Sequence, residues 1–492
     1  MDAFNFQLAL PVIALAAYAL LVLVAVPLVR ARSPFYGWLA LVGIAVAGWC
    51  NWRLWSVWSG EAVARRPLET AHGMVHIDGF GLVVSFLLLA VTALSVLVSM
   101  RFLPREDADH GEFYALMLFS AAGMLTMVNT RHLMMILIGL EVFSVALYVL
   151  TGLTRGRARS VESALKYFLL GAFSSGFLVY GMALLYGTAG SLDLAAIADA
   201  AADGPPRMFW IGLGLVLIGL FFKVAVVPFH QWVPDVYTGA PTNVTGFMAA
   251  ATKTAAFAVL MRVLIGAFGD HRDVWVPLVT WIAILTMTLA NLVALAQVNI
   301  KRLLAFSSIA HAGYLLIALV CLPQAGVGAI VFYLTIYALM TIGAFAIAAA
   351  VGRGDATGER GYDIYAWNGL GWKRPALGAA MTVFLLSMAG IPPTGGFLAK
   401  YVIFQAAVES KQYLLAVVGV LNAVVAAYYY LRVIVAMYMG DPEEGEEPLP
   451  VSPATAAVVA FAVAGILILG IAPGGLLAVV SELYTYVLTV VL

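Results

Sequence analysis

Long apolar runs with short polar interruptions make up this chain, and the runs have the length of membrane spans. A spanning helix needs about 20 predominantly apolar residues. Such runs fall near 7–29, 36–57, 80–103, 113–129, 132–153, 162–187 and 208–228. They continue near 242–267, 274–297, 303–322, 326–351, 375–408, 412–438 and 453–474, which makes about fourteen. The pattern predicts an all-α polytopic membrane protein. The run at 375–408 is too long for one straight crossing and contains 391-IPPTGG-396, so it predicts a broken helix. A second break is predicted within 222-FKVAVVPFHQWVP-234, where Pro228 removes a backbone donor inside an apolar run. Carbonyls freed at membrane depth are tolerated only beside protein or a water-filled cavity.

The two breaks, near 220–240 and 385–405, lie about five spans apart, and each joins proline to a lysine. A repeat with an odd number of spans is inverted, which is the arrangement of many ion transporters. The chain therefore divides into a three-helix segment (1–110), a first five-helix repeat (111–268) and a second (269–440). The acidic loop 441-DPEEGEEPLP-450, a last span and a tail complete it (441–492). The first run has no basic stretch before it and exceeds the roughly 7–15 residues of a signal core, so it reads as a retained helix.

Composition agrees with the pattern. The chain of 492 residues is 63% hydrophobic and 11% charged, against about 25% charged in ordinary soluble domains. Net charge is zero, so nothing points to nucleic acid. Cys50 and Cys321 lie far apart, and no His or Cys cluster has ligand spacing. No phosphate-cradling glycine motif is present. The expectation is a chain without a redox cofactor of its own. Lys and Arg in the short loops are biased, roughly thirteen against eight, which places both termini on the non-cytoplasmic side of the membrane.

Beyond the 21 Lys and Arg counted to the loops, five of the 26 basic residues remain, all in apolar runs: Lys166, Lys223, Lys253, Lys400 and Arg432. Glu141 is the acidic residue deep in one. Each such charge costs about 2.5–3.5 kcal/mol at the helix centre on insertion scales, so these side chains are expected to face the bundle interior. Lys166 and Arg432 lie near span ends, where snorkelling explains them equally well. Lys223 and Lys253 lie about a dozen residues from one end of their spans, and Lys400 follows the second break. Glu141 is near mid-span, where a structural ion pair is the plain alternative to function. His230 and His311 read either as core histidines or as relay groups. His311 has Ser307, Ser308 and Tyr314 nearby on helical spacing, which suggests a polar track. Desolvation disfavours the charged form of a buried lysine and a nearby carboxylate restores it. A Glu–Lys contact that forms and breaks is thus a proton switch. Glu141 with a lysine such as Lys223 fits that role, with Lys253, His311 and Lys400 carrying the proton onward.

The stretch 222-FKVAVVPFHQWVPDVYTGAPTNVTGFMAAATKTAAF-257 resembles the core signature of the antiporter-like membrane subunits of respiratory complex I, NADH–quinone oxidoreductase. Further matches are 138-IGLEVFSVALYVL-150, 162-ESALKYFLLGAFSSGFLVYGMALLYG-187, 300-IKRLLAFSSIAHAGY-314 and 387-SMAGIPPTGGFLAKYVIF-404. They cover residues 115–440 in the family's order, and the wording is most similar to subunit N. The resemblance implies fourteen helices, two inverted five-helix repeats and a central proton path. It implies that Glu141 pairs with Lys223, and that Lys166, His230, Lys253 and Lys400 match family positions. His311 with Tyr314 falls in the family's polar tenth span. Lysine at position 400, where related antiporter subunits can have glutamate, favours subunit N. It also implies that NADH, flavin, iron–sulfur clusters and quinone are handled by partner subunits, membrane and peripheral, in a bacterial plasma (inner) membrane. Alternatives are a subunit of a multisubunit cation/proton antiporter, and the equivalent subunit of a ferredoxin-dependent photosynthetic complex or membrane-bound hydrogenase. A structural scaffold is disfavoured by the two proline–lysine breaks.

Overall fold

The computed structural model describes residues 5–29, 31–60, 67–71, 73–106, 108–202, 204–322, 326–352, 361–441 and 451–480. The acidic loop beyond Asp441 and the tail from 481 lie outside the described residues, as do Arg30, Arg65, Arg66, Arg353 and Arg360.

The chain folds almost entirely as helices. Helices α1 (Phe6–Val29) and α2 (Ser33–Gly60) lead to a small hairpin of β1 (Leu68–Thr70) and β2 (Val75–Ile77), and then to α3 (Gly79–Arg105). A first set follows: α4 (Glu112–Val128), α5 (Leu133–Thr151), α6 (Ala158–Ala189), the short α7 (Leu194–Ala201), α8 (Arg207–Val224) and α9 (Trp232–Gly239). It ends in α10 (Thr242–Phe247), a π turn (Met248–Thr252) and α11 (Lys253–Gly266). The second set is α12 (Arg272–Leu295), α13 (Ile300–Val320), α14 (Gly326–Val351), α15 (Leu370–Lys373), α16 (Pro375–Ala389), α17 (Gly395–Glu409) and α18 (Tyr413–Met439). Helix α19 (Pro453–Ile471) follows, and a short helical stretch over 474–480 ends the described part.

Twelve of the described helical segments are long and apolar enough to cross a membrane. Helix α4, at 17 residues, and the broken pair α16–α17 supply the other two of the fourteen expected crossings. The protein is an integral membrane protein. Helix α13 and the α10–α11 segment are almost wholly enclosed, whereas α1 and α19 expose most of their surface. The interior therefore sits around α11, α13 and α14.

The two sets repeat in detail. His132 caps the start of α5 and bridges to Asp193, while Asn299 caps the start of α13 and bridges to Asp363. Both aspartates in turn cap a short helix, and in each case the side chain accepts a backbone N–H. Helix α8 ends on Ala225 and α16 on Gly390, each left-handed (φ +62° and +87°). Each break then contains a cis X–Pro bond, Val227–Pro228 and Pro392–Pro393. Five crossings per set make the second set enter the membrane from the opposite side to the first.

Each break is stable because its freed backbone groups find partners, as hydrocarbon demands. In the first, Val226 N donates to Phe221 O (3.2 Å), and Val227 N donates to Thr286 Oγ1 of α12 (3.0 Å). Trp232 Nε1 donates to Phe222 O (3.1 Å). In the second, Ile391 N donates to Leu386 O (3.0 Å), and Gly396 N donates to Ser387 Oγ (3.0 Å). The last carbonyls of α16, Met388 O and Ala389 O, accept from Lys400 Nζ at 2.9 and 2.8 Å.

Candidate functional site

Lys223, Lys253, Lys400 and His311 are all buried, none more than 5% exposed. Among the described residues none of the three lysines has a carboxylate within ion-pair distance. Uncompensated charge in a dry interior is costly, so what surrounds each ammonium matters.

Lys223 occupies the last turn of α8, beside the first break. Its Nζ donates to Ser144 Oγ of α5 at 2.8 Å. The rings of Phe143, Phe222, Tyr148 and Tyr167 stand 5.4, 5.6, 5.7 and 5.9 Å from it, within cation–π range. Glu141 lies one turn before Ser144 and is partly exposed. Its carboxylate accepts from Ser175 of α6. The direct Glu141–Lys223 pair implied by the family resemblance is not formed here, and each partner is held by a serine instead.

Lys253 follows the π turn, a feature that widens the helix by one residue and is frequent at functional sites. Its ammonium donates to Ser308 O of α13 and lies 5.7 Å from the Tyr337 ring of α14. Ser308 Oγ and Tyr337 Oη share a hydrogen bond of 2.8 Å. His311 is one turn further along α13. Its Nδ1 bonds Tyr333 Oη at 2.6 Å, its Nε2 lies 3.3 Å from Tyr430 Oη, and its ring is 5.3 Å from that of Tyr337. Tyr430 also bonds Ser307. The Tyr314 ring is 6.0 Å from His311 on one side and 4.9 Å from Lys400 Nζ on the other. Lys253, His311, Tyr314 and Lys400 are thus brought into one buried file of polar and aromatic contacts.

The Lys223 cluster is separate. An aromatic column stands beside it: Tyr167 stacks on Trp232 at 4.6 Å, and Trp232 meets Tyr237 edge-on at 6.3 Å.

Known proteins share this arrangement. A family model described as NADH:quinone oxidoreductase/Mrp antiporter, TM, matches residues 130–426. NADH-quinone oxidoreductase subunit N of Trichlorobacter lovleyi is 42% identical over 477 residues, covering 96% of both chains. This chain belongs to the subunit N family. A chain of respiratory complex I from Thermus thermophilus, solved with bound aureothin, superposes with a TM-score of 0.80 at 36% identity, covering 95% of this chain and 98% of that one. A chain of the Mrp complex from Dietzia superposes at 0.86 with 20% identity, over 99% and 100% of the two chains, a likeness of fold.

Two of the residues expected on the path of this subunit N relative sit away from the buried file. Lys166 is 42% exposed and pairs with Glu162 (2.6 Å) and Asp235 (3.0 Å). Asp235 also holds Arg302 at 3.0 Å. His230 is half-buried in the turn after Pro228, and its Nδ1 has no hydrogen-bond partner among the described residues. Arg432 donates to Leu295 O (2.9 Å) and to Gln297 O, so it caps the end of α12.

Sequence reading missed Lys301, which lies just before the run predicted at 303–322 and was counted among the loop charges. Lys301 is 3% exposed in the first turn of α13, and its Nζ donates to Thr238 O (2.9 Å) and Ala240 O (2.7 Å) at the end of α9. No periodicity signals that role. It missed the tyrosines of α14 as well, although Tyr333, Tyr337 and Thr341 recur at four-residue spacing in an otherwise apolar run. That stripe was a readable signal.

Proposed function

We propose that this chain is a proton-translocating membrane subunit of an NADH–quinone oxidoreductase, without redox chemistry of its own. The reading rests on one observation above the others: three buried lysines and a histidine without carboxylate partners, flanked by hydroxyl groups and two broken helices. Intramembrane ionisable groups of this kind mark proton relays, and breaks at corresponding positions of two repeats mark transport sites. Glu141 and Lys223 form the switch. Motion that releases Glu141 from Ser175 and brings it to Lys223 strengthens the lysine's hold on its proton, and withdrawal weakens it. Lys253, His311 and Lys400 receive and pass the proton through the file of Ser308, Tyr337 and Tyr314. Lys166 and His230 serve the path from its margins, at the first break.

NADH oxidation and quinone reduction, with flavin and iron–sulfur clusters, fall to partner subunits on this reading, which rests on kinship with subunit N. The loop-charge bias supports an orientation with both termini outside the cytoplasm, and kinship with a bacterial subunit N supports a plasma membrane location. A chain of the Mrp complex shares this fold at 20% identity, whereas the subunit N of Trichlorobacter lovleyi is 42% identical over 96% of the chain.

The test is proton pumping in inverted membrane vesicles carrying Lys223→Ala, with NADH–quinone activity followed in parallel and assembly checked by native gel. Loss of both pumping and electron transfer in an assembled complex supports the coupled path. Unchanged pumping and activity would show that Lys223 is structural and remove the switch.

A further inference from the structure

A crevice of about 490 Å³ opens between the end of α3, the end of α14 and the start of α19. Ala346, Ala349 and Ala350 form one apolar wall, and Val98 and Phe102 form another. Its polar groups are Arg101 and Arg105 of α3 with Ser452 and Thr455 of α19. The volume is in the range of small-molecule sites, about 300–1,000 Å³.

The depth of the crevice follows from helix length. Helix α3 has 27 residues, which at about 1.5 Å per residue span about 40 Å. The hydrocarbon core is about 30 Å thick. The last turns of α3, with both arginines, therefore stand at the level of lipid headgroups. Arg101 and Arg105 are four residues apart, so they project from the same face. Both are exposed. Among the described residues, the carboxylate next along the chain, Glu106, is engaged by Arg157 at 2.5 Å. Among the described residues neither Arg101 nor Arg105 has an ion-pair partner. The 19-residue helix α19 begins at the same crevice, with the positive end of its dipole there.

We propose that this crevice binds an anionic phospholipid. The phosphodiester sits between Arg101 and Arg105, whose planar guanidinium groups suit phosphate oxygens. The Ser452 and Thr455 hydroxyls, 2.9 Å apart, stand at the rim. The acyl chains follow α19, whose Phe461 and Ile468 are 57% and 60% exposed. Basic pockets between membrane helices are a recognised setting for acidic headgroups. The bland reading is that the arginines only complement the end of α3 and bias its orientation. That reading requires neither the crevice nor any headgroup preference. The proposal stands independently of the proton path.

The test uses the whole assembled complex, delipidated and then equilibrated with spin-labelled phosphatidylglycerol or phosphatidylcholine in mixed micelles. Wild type is expected to hold phosphatidylglycerol several-fold more tightly than phosphatidylcholine at one site. R101Q/R105Q is expected to lose that preference, and R101K/R105K to retain most of it with assembly unchanged. Excess inorganic phosphate should displace little of the bound lipid, because the apolar walls hold the chains. An unchanged preference in R101Q/R105Q overturns the proposal. Full displacement by inorganic phosphate also overturns it, since the site would then bind the free anion rather than lipid.

Discussion

Lys223 of α8 donates to Ser144 Oγ of α5 across 2.8 Å, although the two residues are 79 positions apart in the chain. Glu141, one turn before that serine, is turned to Ser175 instead. The structure therefore holds the two side chains apart, with one serine hydroxyl on each.

Ser144→Ala removes the acceptor of a buried ammonium. An unsatisfied buried donor costs about 1–3 kcal/mol, and more for a charged one. The expected outcome is an assembled complex in which pumping and NADH oxidation fall together, several-fold. Glu141→Gln retains an acceptor for Ser175 but removes the charge, and is expected to reduce pumping further without loss of assembly. Initial rates of acidification in inverted vesicles compare the two. Equal rates in all three proteins would show that the α5–α8 contact is incidental.

Gly390 separates α16 from the second break at φ +87°, and an added Cβ there would lie 2.8 Å from Lys400 Cδ. Alanine is strained at positive φ and would also displace the lysine that caps α16. Gly390→Ala is expected to destabilise the subunit by about 1–3 kcal/mol and to lower pumping. Lys400→Ala relieves the clash but leaves two carbonyls uncapped, so the double variant should not recover activity. Thermal inactivation together with pumping reads both effects; recovery in the double variant would place the defect in the clash alone.

Lys301 and Arg302 are adjacent and unequal. Lys301 is buried on two carbonyls, whereas Arg302 pairs with Asp235 at a half-exposed site. Lys301→Met leaves two buried carbonyls without their donor, is expected to cost about 1–3 kcal/mol, and should show as poorer assembly on native gels. Asp235→Asn removes two pairs, with Lys166 and Arg302, yet should cost no more than about 1 kcal/mol at this exposure. A larger loss from Asp235→Asn than from Lys301→Met would reverse the ranking of these contacts.

In the hairpin outside the spans, Glu69 bonds His76 Nδ1 at 2.6 Å. That bond holds the Glu69 carboxyl below its ordinary value, with burial opposing and the charges of His76 and Arg131 adding to it. A lowered carboxyl stabilises the fold above its ordinary value of 4.5 and loses that contribution as pH falls through the folded value. Wild type should therefore be more heat-stable than Glu69→Gln at pH 7, and the difference should shrink as pH falls below 4.5. Because Glu69 is 38% exposed, the gap is small. A gap that widened in acid would contradict the sign.

The spans, the two breaks and the charges inside apolar runs were legible in the sequence. Hydropathy is summed over consecutive residues, and proline acts on its own turn, so both are local. The break at 391-IPPTGG-396 was readable for that reason. Which charges are buried, and on what, was not. In the sequence Lys166 and Lys253 differ only in distance from a span end, yet one is 42% exposed among carboxylates and the other 1% exposed on a carbonyl 55 residues away. Lys301 looked like a loop charge because its partners belong to α9. The partner of a side chain depends on which helices pack together, and in an apolar chain many pairings satisfy the same hydropathy. Tertiary packing alone chose Ser144 for Lys223, the carbonyls of α16 for Lys400 and the tyrosines of α14 for the interior.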